Sequence, residues 1–258
     1  MRDRRPFLVA GPPERLRALR SATEARVALG RTGASPPTRA VQSFLLDHAQ
    51  ARQAVWRPLD MDKVEHDLRA CGADVVHVAS RAKDRADYLR RPDLGRALSD
   101  EGRLALDGHA KGADIALVVA DGLSATAVET NAVPVAKALL EALSSEGLTV
   151  APIILARQAR VALADDVGAA LGAKLAVILI GERPGLSAAD SLGAYVTFGP
   201  QTGLPDSRRN CISNIRDGGV PPVEAAGKIM TLISAMCQQK TSGVTLVEFE
   251  KPVTALPD

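Results

Sequence analysis

The feature that most restricts this chain is a set of short apolar runs with almost no polar interruption. They read "DVVHVAS", "DIALVVADG", "LTVAPIILA" and "KLAVILIGE". A strand with one wet face alternates apolar and polar residues, whereas a strand buried on both faces does not. Helical segments lie between the runs: Leu94 to His109, Val133 to Ser145 and Leu163 to Leu171. Parallel neighbours need a long crossover, and right-handed crossovers place helices on both faces of the sheet. The expected fold class is therefore α/β: a doubly wound, Rossmann-like, mostly parallel sheet over residues 73–246. A helical region, 1–72, precedes it and a short tail, 247–258, follows.

Composition says what the core can be made of. Hydrophobic residues are 46% of the chain but aromatics only 3%, so the core must be aliphatic. The 258 residues can bury most of their unfolded surface. With 32 basic and 30 acidic side chains, net charge is +2, without the basic excess of a nucleic-acid binder. Cys71, Cys211 and Cys237 are odd in number and lack metal or redox spacing, which points to a reducing compartment. No stretch reads as a signal peptide, and none approaches the roughly 18 apolar residues of a membrane span. These readings give a soluble, cytoplasmic protein.

Before the sheet, "PPERLRALRSATEARVALG" reads as a helix with Leu16, Leu19 and Val27 on one face. "RTGASPPTR" is a loop. Thr38 then caps a helix whose Val41, Phe44, Leu45 and His48 share a face, with His48 as a satisfied core residue. "DMDKVEHDLRACG" is a further helix. After the strands, "PPVEAAGKIMTLISAMCQQK" is a helix with Val223, Ala226, Met230, Ile233 and Cys237 inward.

Open parallel sheets bind ligands beyond the carboxyl ends of their strands. Four segments should therefore meet on one rim: Asp121 to Ser124, Ala156 to Val161, Gly181 to Gly185, and Cys211 to Asn214 with Gly218 and Gly219. Each also has an ordinary reading. Asp121-Gly122 suits a turn or helix cap. Glu182 beside Arg183 suits a solvated pair worth about 0–1 kcal/mol. Cys211 suits a small packed residue rather than a nucleophile. His66, His77 and His109 form no HxxxH or HExxH pattern, which argues against zinc. GxGxxG, GxxxxGK[ST] and GxSxG are all absent, so a free-standing nucleotide-binding protein, the alternative reading, lacks its phosphate loop.

The rim phrases are distinctive as a set: "RTGASPPTRAVQSFLLDHAQARQAV", "SRAKDRADYLRRPDLGRAL", "DGLSATAV", "GAKLAVILIGERPGLSAADSLGAY" and "CISNIRDGGVPPVEAAGKI". In this order, over roughly Leu16 to Leu246, the chain resembles the small (light) subunit of ethanolamine ammonia-lyase. That enzyme uses adenosylcobalamin to convert ethanolamine to acetaldehyde and ammonia. The resemblance implies a large-subunit partner that holds the substrate, a cofactor between the two, and higher assembly of large/small pairs. It implies cofactor contacts at Val161, Glu182 and Cys211, with no catalytic residue and no metal ligand on this chain. It implies that the N-terminal helices and the loop at Arg31 to Arg39 are mainly subunit interface. The DxHxxG motif that displaces the cofactor's lower base is absent, so the base would stay on cobalt. Family members can have a longer N-terminal extension, and "VEFEKPVTALPD" runs past their usual end. Some reside in a bacterial microcompartment. With no clear targeting helix here, that location stays open.

Overall fold

The computed structural model describes residues 16–246 except Arg17 and Glu24. The expected tail, 247–258, lies outside the described residues, as does most of "PPERLRALR". In chain order the elements are α1 Leu19–Ala22, α2 Thr38–Trp56, α3 Met61–Ala70, β1 Val75–Ala79, α4 Arg85–Arg90, α5 Pro92–Gly95 and α6 Asp100–Asp107. Then come β2 Ile115–Ala120, α7 Ala125–Ala127, α8 Val133–Ser145, β3 Ile153–Arg157, α9 Leu163–Leu171 and β4 Leu175–Gly181. β5 Leu192–Phe198, β6 Asn210–Ile215 and α10 Pro222–Gln239 complete the set. A π-helical turn, Val128–Ala132, joins α7 to α8. Pro134 lies two residues past its end and has no N–H to continue a regular ladder.

The strands form one six-stranded sheet in the order β1-β3-β2-β4-β5-β6. β1, β3, β2 and β4 are parallel; β5 runs antiparallel to both β4 and β6. The α/β class and the mostly parallel sheet are as expected. The order of the first four strands is not the 3-2-1-4 of dinucleotide-binding folds. Two aliphatic layers sandwich the sheet. One lies under α8, α10 and α3 and includes Leu117, Val119, Leu155, Val177 and Leu179. The other lies under α6 and α9 and includes Val118, Ile154, Ala156, Ile178 and Ile180. Each fully buried Val, Leu or Ile adds about 1.5–3 kcal/mol, so these layers hold the fold without aromatics.

α8 and α9 have the limits read from the sequence. The segment Leu94 to His109 is not one helix. Ser99 caps α6 through Gly102 N–H at 3.0 Å, and Leu98 N–H goes to Asp166 at 3.0 Å. The inward face of α10 also differs: Ala225, Ala226, Ile229, Leu232, Ile233 and Met236 are buried, while Val223 is 74% exposed and Cys237 is exposed.

The N-terminal region departs most from expectation. α1 ends at Ala22 because Thr23 is extended, so Val27 does not share its face. Thr38 is the first residue of α2, not its cap; Pro37 stands at that place. Only Ala51 and Ala54 of α2 are buried. Phe44, Leu45, Leu46 and Trp56 are each more than 40% exposed. His48 is exposed and stacks on Phe44 with ring centroids 6.1 Å apart, so it is not a core residue. α3 is different in kind: Met61, Val64 and Leu68 are buried in the first layer.

Candidate functional site

The switch point of the parallel sheet lies between β2 and β3, whose following helices go to opposite faces. Ligands usually enter there, but here the crevice is closed by protein. Asp121 Oδ1 accepts from Ala159 N–H at 3.2 Å, and Oδ2 from Arg85 Nη1 at 3.4 Å. Arg85 also donates to Val55 O at 2.7 Å. The Tyr88 ring lies between two guanidiniums, Arg85 at 4.7 Å and Arg160 at 4.2 Å. Tyr88 OH donates to Ala159 O at 3.1 Å, so the Ala159 peptide is gripped from both sides. Burial raises the Asp121 carboxyl above its ordinary pKa, with Arg85 and the loop amides opposing. Beside it, Gly122 and Gly181 bring β2 and β4 together: a Cβ on Gly122 would sit 2.2 Å from Gly181 O. The side chains of Asp121, Arg85 and Tyr88 thus bond one another and the neighbouring loop across this crevice.

The open ground lies at the antiparallel end of the sheet. β5 and β6 pack on α10 with one face. On the other face Cys211 and Ser213 are exposed. Opposed residues of an antiparallel pair share a face, and Tyr195 pairs with Cys211. Further along, Leu192 pairs with Ile215 and Ala194 with Ile212, so Ser213 and Asn214 together oppose Gly193. This is a β-bulge, a device that re-aims side chains. Asn214 adopts φ 58°, which Asn tolerates better than most residues. Its Oδ1 accepts from Arg216 Nε at 2.8 Å and its carbonyl from Val220 N–H at 2.9 Å.

The bulge serves Glu182. The Glu182 carboxylate accepts from Ser191 Oγ at 2.6 Å, Ser213 Oγ at 2.7 Å and Asn214 N–H at 3.2 Å. Its partners are these three, not Arg183, so the simple solvated pair gives way to a built socket. A carboxylate has about four lone-pair positions, which leaves about one for a ligand. Gly193 makes the socket possible: a Cβ there would lie 2.9 Å from Glu182 Oε1 and 3.0 Å from Tyr195 Cε2.

Tyr195 ties the three expected residues together, although sequence reasoning did not single it out. It stands opposite Cys211 in the β5–β6 pair and feels the Glu182 charge. It shares a cleft of about 400 Å³ with Val161. Burial raises both the Tyr195 phenol and the Cys211 thiol above their ordinary pKa values, and Glu182 adds to each. Cys211 is therefore a protonated thiol at neutral pH. Its register, opposite Tyr195 and hence level with Ile178, puts it on the sheet's open face rather than on the rim. It also borders a groove of about 1170 Å³ along α10. The signal for β5 was present as the alternation of Leu192, Ala194, Val196 and Phe198.

The sequence profile described as ethanolamine ammonia-lyase light chain (EutC) matches residues 13–247. A protein named ethanolamine ammonia-lyase small subunit from Azotobacter vinelandii is 50% identical over 250 residues, covering 95% of this chain and 91% of its own length. One of the same name from Ralstonia nicotianae is 48% identical over 251 residues, covering 96% and 92%. Another, from Pseudomonas fluorescens, is 50% identical over 232 residues, covering 88% and 84%. Matches of this extent and identity settle the family: the chain belongs to the ethanolamine ammonia-lyase light chains.

Proposed function

We propose that this chain is the small subunit of an ethanolamine ammonia-lyase, holding adenosylcobalamin against a large catalytic subunit and supplying no catalytic residue itself. The observation that carries the reading is the uncovered face of β5 and β6, where Glu182 keeps about one acceptor position beside Tyr195 and Cys211.

The residues fit such a ligand. Cobalamin is edged by neutral amides, with a ribose and one phosphodiester. The face offers a carboxylate and a seryl hydroxyl for N–H and O–H groups, a phenol and a small thiol for close approach, and no unpaired carboxylate cluster. An orphaned buried donor, Arg160 Nε, stands by the adjoining cleft. Bound cofactor supplies the radical chemistry through homolysis of its cobalt–carbon bond. Glu182 accepts one polar hydrogen from the ligand edge, Val161 gives apolar contact and backbone polar groups, and Cys211 permits close approach. The exposed stripe of Phe44, Leu45, Leu46 and Trp56, with the turn at Arg31 to Arg39, meets the large subunit, and large/small pairs assemble further. Among the described residues, no helix is long and apolar enough to cross a membrane.

The test is coexpression with a large subunit, addition of adenosylcobalamin, and assay of acetaldehyde from ethanolamine. Activity should require both chains; a large subunit equally active alone overturns the reading. Independently of turnover, adenosylcobalamin should slow alkylation of Cys211 in the complex, followed on the Cys211 peptide by mass spectrometry. An unchanged rate removes Cys211 from the contact face.

A further inference from the structure

The cleft beside Val161 carries a charge imbalance that the contacts at Glu182 and Cys211 do not use. Its ionic residues are Arg96, Arg160, Asp206 and Arg209. Arg209 is neutralised: it bonds Asp165, bonds Asp206 at 2.5 Å, and reaches Leu204 O at 3.1 Å. Arg96 is neutralised by Asp206 at 2.7 Å. Among the described residues, Arg160 has no carboxylate partner. Its Nη2 donates to Tyr88 O at 3.2 Å, and its Nε is buried without an acceptor. Stacking on Tyr88 at 4.2 Å holds the guanidinium plane, and Arg160 N–H to Gly95 O at 2.7 Å anchors the backbone. A Cβ on Gly95 would lie 2.9 Å from Arg160 Cγ, so the stem is packed as well. Nε is enclosed by protein, so a ligand in the cleft would meet the terminal nitrogens of this half-buried side chain. A rigid guanidinium with no counter-charge is suited to a phosphate oxygen pair.

We propose that Arg160 binds the singly charged phosphodiester of the corrinoid's nucleotide tail. This rests on the cofactor reading above and adds to it. Arg160 immediately precedes Val161, so a ligand that touches Val161 passes the guanidinium. Of the three guanidiniums lining the cleft, Arg96 pairs with Asp206 and Arg209 with Asp206 and the underlying Asp165, which leaves the charge of Arg160 for one phosphodiester. Ser213, Tyr195 and Glu182 then meet the neutral part of the ligand and Arg160 the anionic part, with Tyr195 between the two regions.

The experiment compares two corrinoids on the complex with the large subunit. Affinity for adenosylcobalamin and for adenosylcobinamide, which lacks the nucleotide tail, is measured by visible absorption for the native chain, Arg160→Gln and Arg160→Lys. Arg160→Gln should weaken adenosylcobalamin about 10–100-fold, the loss of a charge-assisted bond, and leave adenosylcobinamide within about 2-fold. Arg160→Lys, which keeps the charge but not the fork, should fall between. Equal losses for both corrinoids, or no loss, overturn the proposal. If Arg160→Gln abolishes competition by inorganic phosphate yet keeps full adenosylcobalamin affinity, the site takes a free anion and the proposal also fails. A native complex that binds neither corrinoid overturns the cofactor reading itself. Copurification with the large subunit and unchanged far-ultraviolet circular dichroism confirm folding, and the Lys variant carries the test if Gln does not fold.

Discussion

Asp121 and Glu182 stand just past the ends of neighbouring parallel strands, β2 and β4, one peptide beyond the sheet core in each case. Both are acids gripped by backbone and side-chain donors. Their surroundings differ. Asp121 is 7% exposed, sealed between the Ala159 peptide and Arg85. Glu182 is half-buried, beside an edge where Cys211 and Ser213 are exposed. The same position in a sheet thus yields a structural plug where strands are flanked on both sides, and a half-buried carboxylate beside exposed strand residues where the sheet turns antiparallel. Position along a strand does not decide function; what lies over it does.

That contrast can be broken experimentally. The largest effect should come from Asp121→Ala. It leaves Arg85 buried without its partner and Ala159 N–H unsatisfied, which should cost about 3–5 kcal/mol in urea denaturation. A loss under about 1 kcal/mol would mean that Asp121 is no plug. Next is Gly193→Ala, whose new Cβ meets Glu182 and Tyr195 at 2.9 and 3.0 Å. We expect about 1–3 kcal/mol of destabilisation from overpacking, with weaker adenosylcobalamin binding in the complex. Full affinity for the cofactor would show that the socket shape is not needed. Glu182→Gln keeps the volume but removes the charge. Stability should change by about 1 kcal/mol or less, while adenosylcobalamin affinity drops by about 1–2 kcal/mol. If stability falls and affinity does not, Glu182 is a plug like Asp121.

The smallest effects are in pH dependence, and the two ends of β2 should have opposite signs. Asp114, just before the strand, is held at about 2, first by Lys174 and then by Thr149 N–H and hydroxyl. Its folded pKa is below the ordinary 3.8, so its stabilisation is complete above about pH 4 and fades as pH falls toward about 2. Asp121 is shifted upward, so its folded form holds the proton more tightly, and stability declines as pH rises above about 4 toward its raised value. Asp114→Asn should flatten the acid limb of a stability profile, and Asp121→Asn the limb above it. Profiles that shift together would contradict the assigned environments.

Much of the framework could be read from local pattern. The runs at β1 to β4 are nearly all apolar because both faces are covered, and α8 and α9 keep clear helical periods. β5 escaped because its period-two signal is weak, with small residues at Gly193 and Ala194, the first of which the Glu182 socket requires. Tyr195 escaped for the same reason, since its role depends on register across two strands. His48 was misjudged as a core residue because an apolar stripe reads as core-facing whether or not the chain's own core reaches it. Phe44, Leu45 and His48 carry that pattern, and the chain's own core does not reach them. Val161, Glu182 and Cys211 were indicated by motif, but their link through Tyr195 was visible only in three dimensions.

The Ser213–Asn214 bulge has a further consequence, for how the protein behaves at high concentration. β6 is the outer strand of the sheet. A straight, unpaired edge invites a second chain to add as the next strand. With Asn214 in the left-handed region, the edge is bent near its carboxyl end and its regular row of donors and acceptors is interrupted there. The kink that shapes a carboxylate socket therefore also guards against sheet-to-sheet aggregation, and a variant that straightened β6 would be expected to lose the socket and clump together.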